Sequence, residues 1–73
     1  TMKNIKKIKI KINGKVRTFQ NNITLFKLVK NLRIPIKKVA IELNQEIMDK
    51  KKLDQIFLKN NDKIEIVHFI GGG

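Results

Sequence analysis

Few residues in this chain are able to do chemistry, and most of them stand alone. His68 is the single histidine, and there is no cysteine. One imidazole cannot build a metal site. Without thiolates there is no disulfide, no Cys-based zinc or iron–sulfur centre and no thiol nucleophile. No metal site and no bound cofactor are therefore expected. His68 could act as a general base, but no carboxylate or nucleophile accompanies it in the sequence, and a catalytic base needs such a partner. Its place in an apolar run reads instead as a strand position. Glu42 and Glu46 could be read as an acid/base pair. In context they fit the solvent face or the rim of a sheet, and no chemistry is assigned to them.

The glycines are different. Gly71, Gly72 and Gly73 follow directly on the apolar run Ile64 to Ile70. Glycine has no side chain to pack and is poorly suited to a strand. The chain is expected to leave a rigid sheet there and continue as a thin, flexible thread. Three extended residues reach about 10 Å. Gly71 and Gly72 could thread a narrow channel of another protein, and Gly73 would present its carboxylate. A nucleophile attacking that terminal carbonyl meets no side chain. A free carboxylate is a poor acyl donor, but joining it to AMP supplies a leaving group. Sulfide from a protein persulfide can then displace AMP and leave a thiocarboxylate. All catalytic groups must come from partners, so the chain is read as a protein cosubstrate and not an enzyme. The bland alternative is a frayed end or a linker, which is common at termini. The order of elements ahead of the glycines argues against it.

Composition bounds the rest. With 73 residues the chain is one domain, marginal in stability and too small for a deep internal cleft. Function should sit on the surface or at an end. No apolar run approaches the ~20 residues that span a bilayer, so no membrane partner is expected. The first residues lack the apolar stretch of a signal peptide, and Thr1 ahead of Met2 reads as a processing scar. The formal net charge is +11, which raises the prospect of a nucleic-acid partner. The lysines, however, are spread from Lys3 to Lys63, with one compact run at Lys50-Lys51-Lys52. Aromatic residues to stack bases are few, with four Phe and neither Tyr nor Trp. The charge fits drift toward Lys, Asn and Ile better than a binding stripe with stacking platforms. No specific nucleic acid is expected, although weak, salt-sensitive association would be natural.

The elements that must position the glycines follow from periodicity. Ile8, Ile10 and Ile12 alternate with Lys7, Lys9 and Lys11, the signature of a half-buried strand. Asn13-Gly14 suits the positive φ angles of a type I′ turn, and Lys15 to Gln20 reads as the returning strand. Asn21-Asn22 breaks it. Thr24 is a helix N-cap with Ile23 as a staple. Leu25, Leu28, Val29 and Leu32 then make one apolar helical stripe. The spacing places the helix stop at Pro35, which pushes Ile34 out of helical geometry. Val39, Ile41 and Leu43 form a third strand, Asn44-Gln45 a turn, and Glu46 to Met48 a short fourth strand. Residues 49 to 62 are irregular, pinned by Leu53, Ile56, Phe57 and Leu58. Lys63 to Ile70 is the last strand. One helix must bury its stripe against a sheet face. The expected fold class is α+β: a mixed sheet of about five strands with one main helix packed on one face, the β-grasp (ubiquitin-like) arrangement. Its domain is residues 1–70, followed by the tail 71–73.

Three stretches carry a resemblance to a known family. They are Ile10-Lys11-Ile12-Asn13-Gly14-Lys15, the segment Val39 to Ile47, and above all Asn61 to Gly73. Together the chain resembles the ThiS family, the sulfur carriers of thiamin (thiazole) biosynthesis. The resemblance implies that Gly73 is adenylated by a ThiF-like enzyme using ATP and magnesium. Sulfur would arrive from a donor such as a cysteine desulfurase and pass as the thiocarboxylate to thiazole synthase (ThiG). The setting implied is the cytoplasm, or the stroma for a plastid-encoded chain. Two features depart from the family. Asn61 stands where the turn usually has Gly, which Asn tolerates, and the basicity is unusual. MoaD, the small subunit of molybdopterin synthase, shares the fold and the Gly-Gly end. Its approach to the glycines tends to contain Pro, where this chain has Phe69-Ile70.

One docking surface is expected. Along the last strand, Ile64, Ile66, His68 and Ile70 share one face, and Glu65, Val67 and Phe69 share the other. The helix covers only one face. Val67 and Phe69 would lie on the open one, beside the tail, as partner-docking residues. Packing against residues 49 to 62 is the competing account. Three function classes stay open: a sulfur carrier, a ubiquitin-like modifier using the same activated tail, and a basic nucleic-acid module that would not need Gly72-Gly73.

Overall fold

Alternation settles the first strand. In β1 (Lys7–Ile12) Ile8, Ile10 and Ile12 are buried and the three lysines between them are exposed. Asn13 (φ 48°) and Gly14 (φ 85°) both take positive φ, as a type I′ turn requires. β2 (Lys15–Gln20) returns antiparallel, from Ile12 opposite Lys15 to Lys7 opposite Gln20. The computed structural model describes residues 7–69. The expectations for the segments before and after, including the domain boundary at residue 70, lie outside the described residues.

The helix α1 (Leu25–Asn31) is capped as its sequence predicts, with the Thr24 hydroxyl accepting from the Lys27 N–H. Leu25, Leu28 and Val29 are fully buried, and Ile23 and Leu32 pack half-buried against the core. Its end corrects the expectation. Pro35 does not stop it; the helix has already closed. Leu32 is the C-cap, and Arg33 turns left-handed at φ 59°. The Arg33 N–H donates to the Lys30 carbonyl at 2.9 Å, and the Ile34 N–H to Val29 at 3.2 Å. These are the two bonds of a Schellman closure, here with Arg where Gly is usual. Pro35 instead begins a short 3₁₀ turn at Ile36–Lys38, which periodicity does not reveal.

β3 (Val39–Leu43) and β4 (Glu46–Ile47) flank the turn Asn44-Gln45, both of whose residues have positive φ. A 3₁₀ segment, Lys50–Gln55, follows, capped by the Asp49 carboxylate on the Lys51 N–H. Leu53 and Leu58 are buried and Ile56 half-buried, so they do pin this connection. Phe57 does not, being 60% exposed. The backbone through residues 56–58 is bonded to Leu25 and Ile23, and extended alternation puts residues 56 and 58 inward and 57 outward. β5 (Lys63–His68) closes the sheet two residues earlier than expected.

The sheet order is β2-β1-β5-β3-β4. β5 lies at the centre, parallel to β1 and antiparallel to β3. The helix stripe and the inward faces of β1, β3 and β5 make one core around Ile10, Leu28, Ile41 and Ile64, all fully buried. This is the expected β-grasp arrangement.

Candidate functional site

The candidate site is the end of β5 and the open face around it. Because β5 is central, both its neighbours hold it in place. Beyond the end of β1, the Asn13 side chain continues the parallel ladder. Its Oδ1 accepts from the Ile66 N–H at 2.7 Å, and its Nδ2 donates to the Ile66 carbonyl at 3.1 Å. An amide side chain thus stands in for a missing strand residue. On the other side, Val39 to Leu43 pair with His68 to Ile64. The Phe69 N–H then donates to the Lys38 carbonyl at 2.9 Å.

The entry to β5 is tied just as closely. The Asp62 carboxylate accepts from Asn44 Nδ2 at 3.0 Å and from the Lys59 N–H at 2.7 Å. The Lys9 N–H donates to Asn60 Oδ1, and the Asn61 N–H to the Lys9 carbonyl. Asn61 has φ 75°, so it does occupy the left-handed position where Gly is usual. Asn13 is legible as a turn residue. Nothing in the sequence marks its second task of fixing β5, because its partner lies 53 residues away, nor the tie of Asp62 to Asn44, 18 residues away.

The register decides which side chains share the open face. Val67 lies beside Ala40, Glu65 directly opposite Glu42, and Ile47 of β4 beside Glu42. Lys63 lies beside Lys11. Val67 is 56% exposed and Phe69 51%, so both stand on the open face as the alternation predicts. The competing account is partly realised as well, since Lys50 places its Nζ 4.9 Å from the centre of the Phe69 ring. That cation–π contact engages the ring, about half of whose residue surface stays exposed.

Glu42 and Glu46 cannot form an acid/base pair. Glu46 is opposite Leu43 and Glu42 opposite Ile47, so the two carboxylates lie on opposite faces of the sheet. His68 is exposed and in register with Val39, a strand position as expected. Among the described residues no group of three or more His, Cys, Asp or Glu side chains could hold a metal ion, and no helix is long and apolar enough to cross a membrane. Gly71, Gly72 and Gly73 lie outside the described residues. What the structure supplies is the anchored strand that leads to them and the surface beside it.

That arrangement has counterparts. The family model for the ThiS family matches residues 10–73. A thiazole synthase of Paramagnetospirillum magneticum is 42% identical over 66 residues, 90% of this chain but 20% of that protein. The chain thus spans about a fifth of that relative's length. The sulfur carrier protein ThiS of Bacillus subtilis is 37% identical over 65 residues, 88% of this chain and 98% of that one. The crystal structure of a thiamine biosynthesis protein (ThiS) from Geobacter metallireducens superposes with a TM-score of 0.80 at 28% identity, covering 90% of this chain and 100% of that chain.

Proposed function

The chain belongs to the ThiS family, and on that premise we propose that it works as a sulfur carrier in thiamin biosynthesis, with Gly73 as the residue that bears the sulfur. The observation that carries this reading is a family match that runs through the glycine segment to residue 73, set behind a central strand fixed on both sides. The chain is a cosubstrate. It supplies an acyl group and a docking surface, and its partners supply the catalysis.

The chemistry requires Gly73 to be the last residue of the working protein. A ThiF-like adenylating enzyme, using ATP and magnesium, joins the Gly73 carboxylate to AMP and releases pyrophosphate. The terminal sulfur of a persulfide, charged by a donor such as a cysteine desulfurase, attacks the acyl carbon and expels AMP. A thiol then reduces the acyl disulfide and frees the thiocarboxylate. Gly71 and Gly72 pass through the enzyme's channel and keep the approach to the acyl carbon free of side chains. A thiazole synthase accepts the sulfur, a role supported by the similarity to a protein of that name. Val67 and Phe69 hold the partner while the tail is engaged, since exposed apolar residues beside a reactive end suit an interface.

The structural contribution is anchorage. Fixing Ile66 through Asn13 and Phe69 through Lys38 means that a partner gripping the sheet knows where the tail begins, which cuts the ordering cost of binding. The test is incubation with the cognate ThiF-type enzyme, magnesium–ATP and a persulfide donor, followed by intact mass. Exchange of oxygen for sulfur adds about 16 Da at the activated acyl carbon. A chain that stays at its starting mass in that mixture, while a Bacillus subtilis-type ThiS gains sulfur beside it, overturns the reading.

A further inference from the structure

The acidic residues are segregated along the chain. All six lie between Glu42 and Glu65, so β1, β2 and α1 carry basic residues and no acid. That stretch also holds a strand at the rim of the sheet. β2 ends the strand order, beside β1. The two-residue turn at Asn13-Gly14 makes Ile12 and Lys15 a bonded pair, and bonded pairs alternate along an antiparallel ladder. The N–H and C=O groups of Lys15, Arg17 and Phe19 therefore face β1, and those of Val16, Thr18 and Gln20 point off the edge. None of these outward groups has a hydrogen-bond partner among the described residues. Beside the edge, between β2 and α1, lies a hollow of about 550 Å³. Half-buried Phe19 and Ile23 line it, with Lys7, Thr24, Lys27 and Asn31. Lys27 and Asn31 are four residues apart, on one side of the helix. Lys15 and Arg17 are exposed and share with Phe19 one face of the strand.

We propose that the β2 edge and this hollow bind an extended acidic segment of another protein, which joins the sheet as an added strand. Main-chain bonds to Val16, Thr18 and Gln20 supply affinity, and the side-chain order supplies specificity. Residues directly opposed across two strands share a face. The occupant therefore sets an apolar side chain opposite Phe19, against the hollow, and carboxylates two and four residues along, opposite Arg17 and Lys15. Lys7 and Lys27 add their charge at the hollow, whose lining holds no carboxylate. A second copy of the chain fits poorly, because two cationic edges would meet; Lys and Arg on an edge guard against such self-pairing. Nucleic acid fits poorly as well. Its phosphates would face the outward carbonyls of Val16, Thr18 and Gln20, where a peptide brings an N–H to each. The proposal goes beyond the sulfur-carrier reading and does not rest on it. β1 stands between β2 and β5, so the added strand leaves the route to the glycines untouched.

The test titrates the full chain with an end-capped peptide of three glutamates, four valines and three glutamates, which offers the same order in either strand direction. Amide shifts are expected to saturate below about 1 mM peptide and to gather on residues 16–24 with Lys27 and Asn31. The same peptide with proline for each valine keeps the charge and an apolar centre but lacks the central N–H groups. It is expected to bind about tenfold more weakly or worse. Arg17→Glu with Lys27→Glu should raise Kd about tenfold or more. Lys37→Glu with Lys38→Glu changes net charge equally at the opposite end of the sheet, where Val39 pairs with His68, and should stay within about twofold. Both variants alter exposed side chains and are compared where their amide spectra show the native fold; the proline peptide needs no change in the protein. The proposal is overturned by shifts that do not saturate, by equal binding of the proline peptide, or by equal loss in the two variants. It is also overturned if a thymidine oligonucleotide binds these residues more tightly than the peptide at physiological salt, or if the chain alone sediments as a dimer formed through the same amides.

Discussion

The two faces of the sheet follow different rules. The face under α1 is built from Ile8, Ile10, Ile12, Val39, Ile41, Ile64 and Ile66, all buried, and almost any well-packed aliphatic set would serve there. The open face carries charges and isolated apolar residues that remain exposed, so their arrangement contributes little to stability. The covered face makes the molecule fold, and the open one is the face proposed to meet partners. Substitutions should separate the two accordingly.

The largest effect is expected from removing Gly72-Gly73. Sulfur loading should vanish in the intact-mass assay while thermal unfolding is unchanged; retained loading would break the comparison outright. Next, Ile64→Ala on the covered face should cost about 2–4 kcal/mol in chemical denaturation, because Ile64 is fully buried between the helix and the centre of the sheet. Phe69→Ala should do the opposite, lowering kcat/KM for adenylation roughly tenfold while costing under about 1 kcal/mol, since half the ring is already in water. An unchanged transfer rate in the folded variant removes Phe69 from the docking surface. The smallest effect sharpens the boundary between the faces. Asn13→Gly keeps the positive-φ turn but loses both bonds to Ile66, and should cost about 1 kcal/mol. Hydrogen exchange at Ile66 should rise with it.

The covered face was legible because its signals are local. Period-two isoleucines, the Asn13-Gly14 turn, the Thr24 cap and the stripe from Leu25 to Leu32 each declare themselves within a few residues. The faults arose where the decisive contact is distant or the usual residue is absent. Arg33 closes α1 in a conformation expected of Gly, so the sequence offers Pro35 as the stop in its place. Phe57 reads as core by type, yet the backbone bonds of its neighbours, Ile56 to Leu25 and Leu58 to Ile23, turn it outward. On the open face, Val67 and Phe69 could be placed by alternation from β5 alone. The meeting of Glu42 with Glu65, and of Lys11 with Lys63, needs the register of strands far apart in sequence. Asn13 was legible as a turn and illegible as a clasp for the same reason.

The Asn13 clasp also gives the molecule a way to age. Asn followed by Gly is the dipeptide in which the next backbone nitrogen most readily attacks the side-chain amide, since Gly14 offers no Cβ to obstruct it, and nothing crowds that position. Ring closure expels the amide nitrogen as ammonia, and hydrolysis leaves a carboxylate. That group can still accept from the Ile66 N–H, but it has no proton to give the Ile66 carbonyl, which would then face a negative charge. Old molecules should therefore loosen first at the central strand that precedes the glycine segment, so that spontaneous deamidation of one hairpin residue would weaken β5 before the core fails.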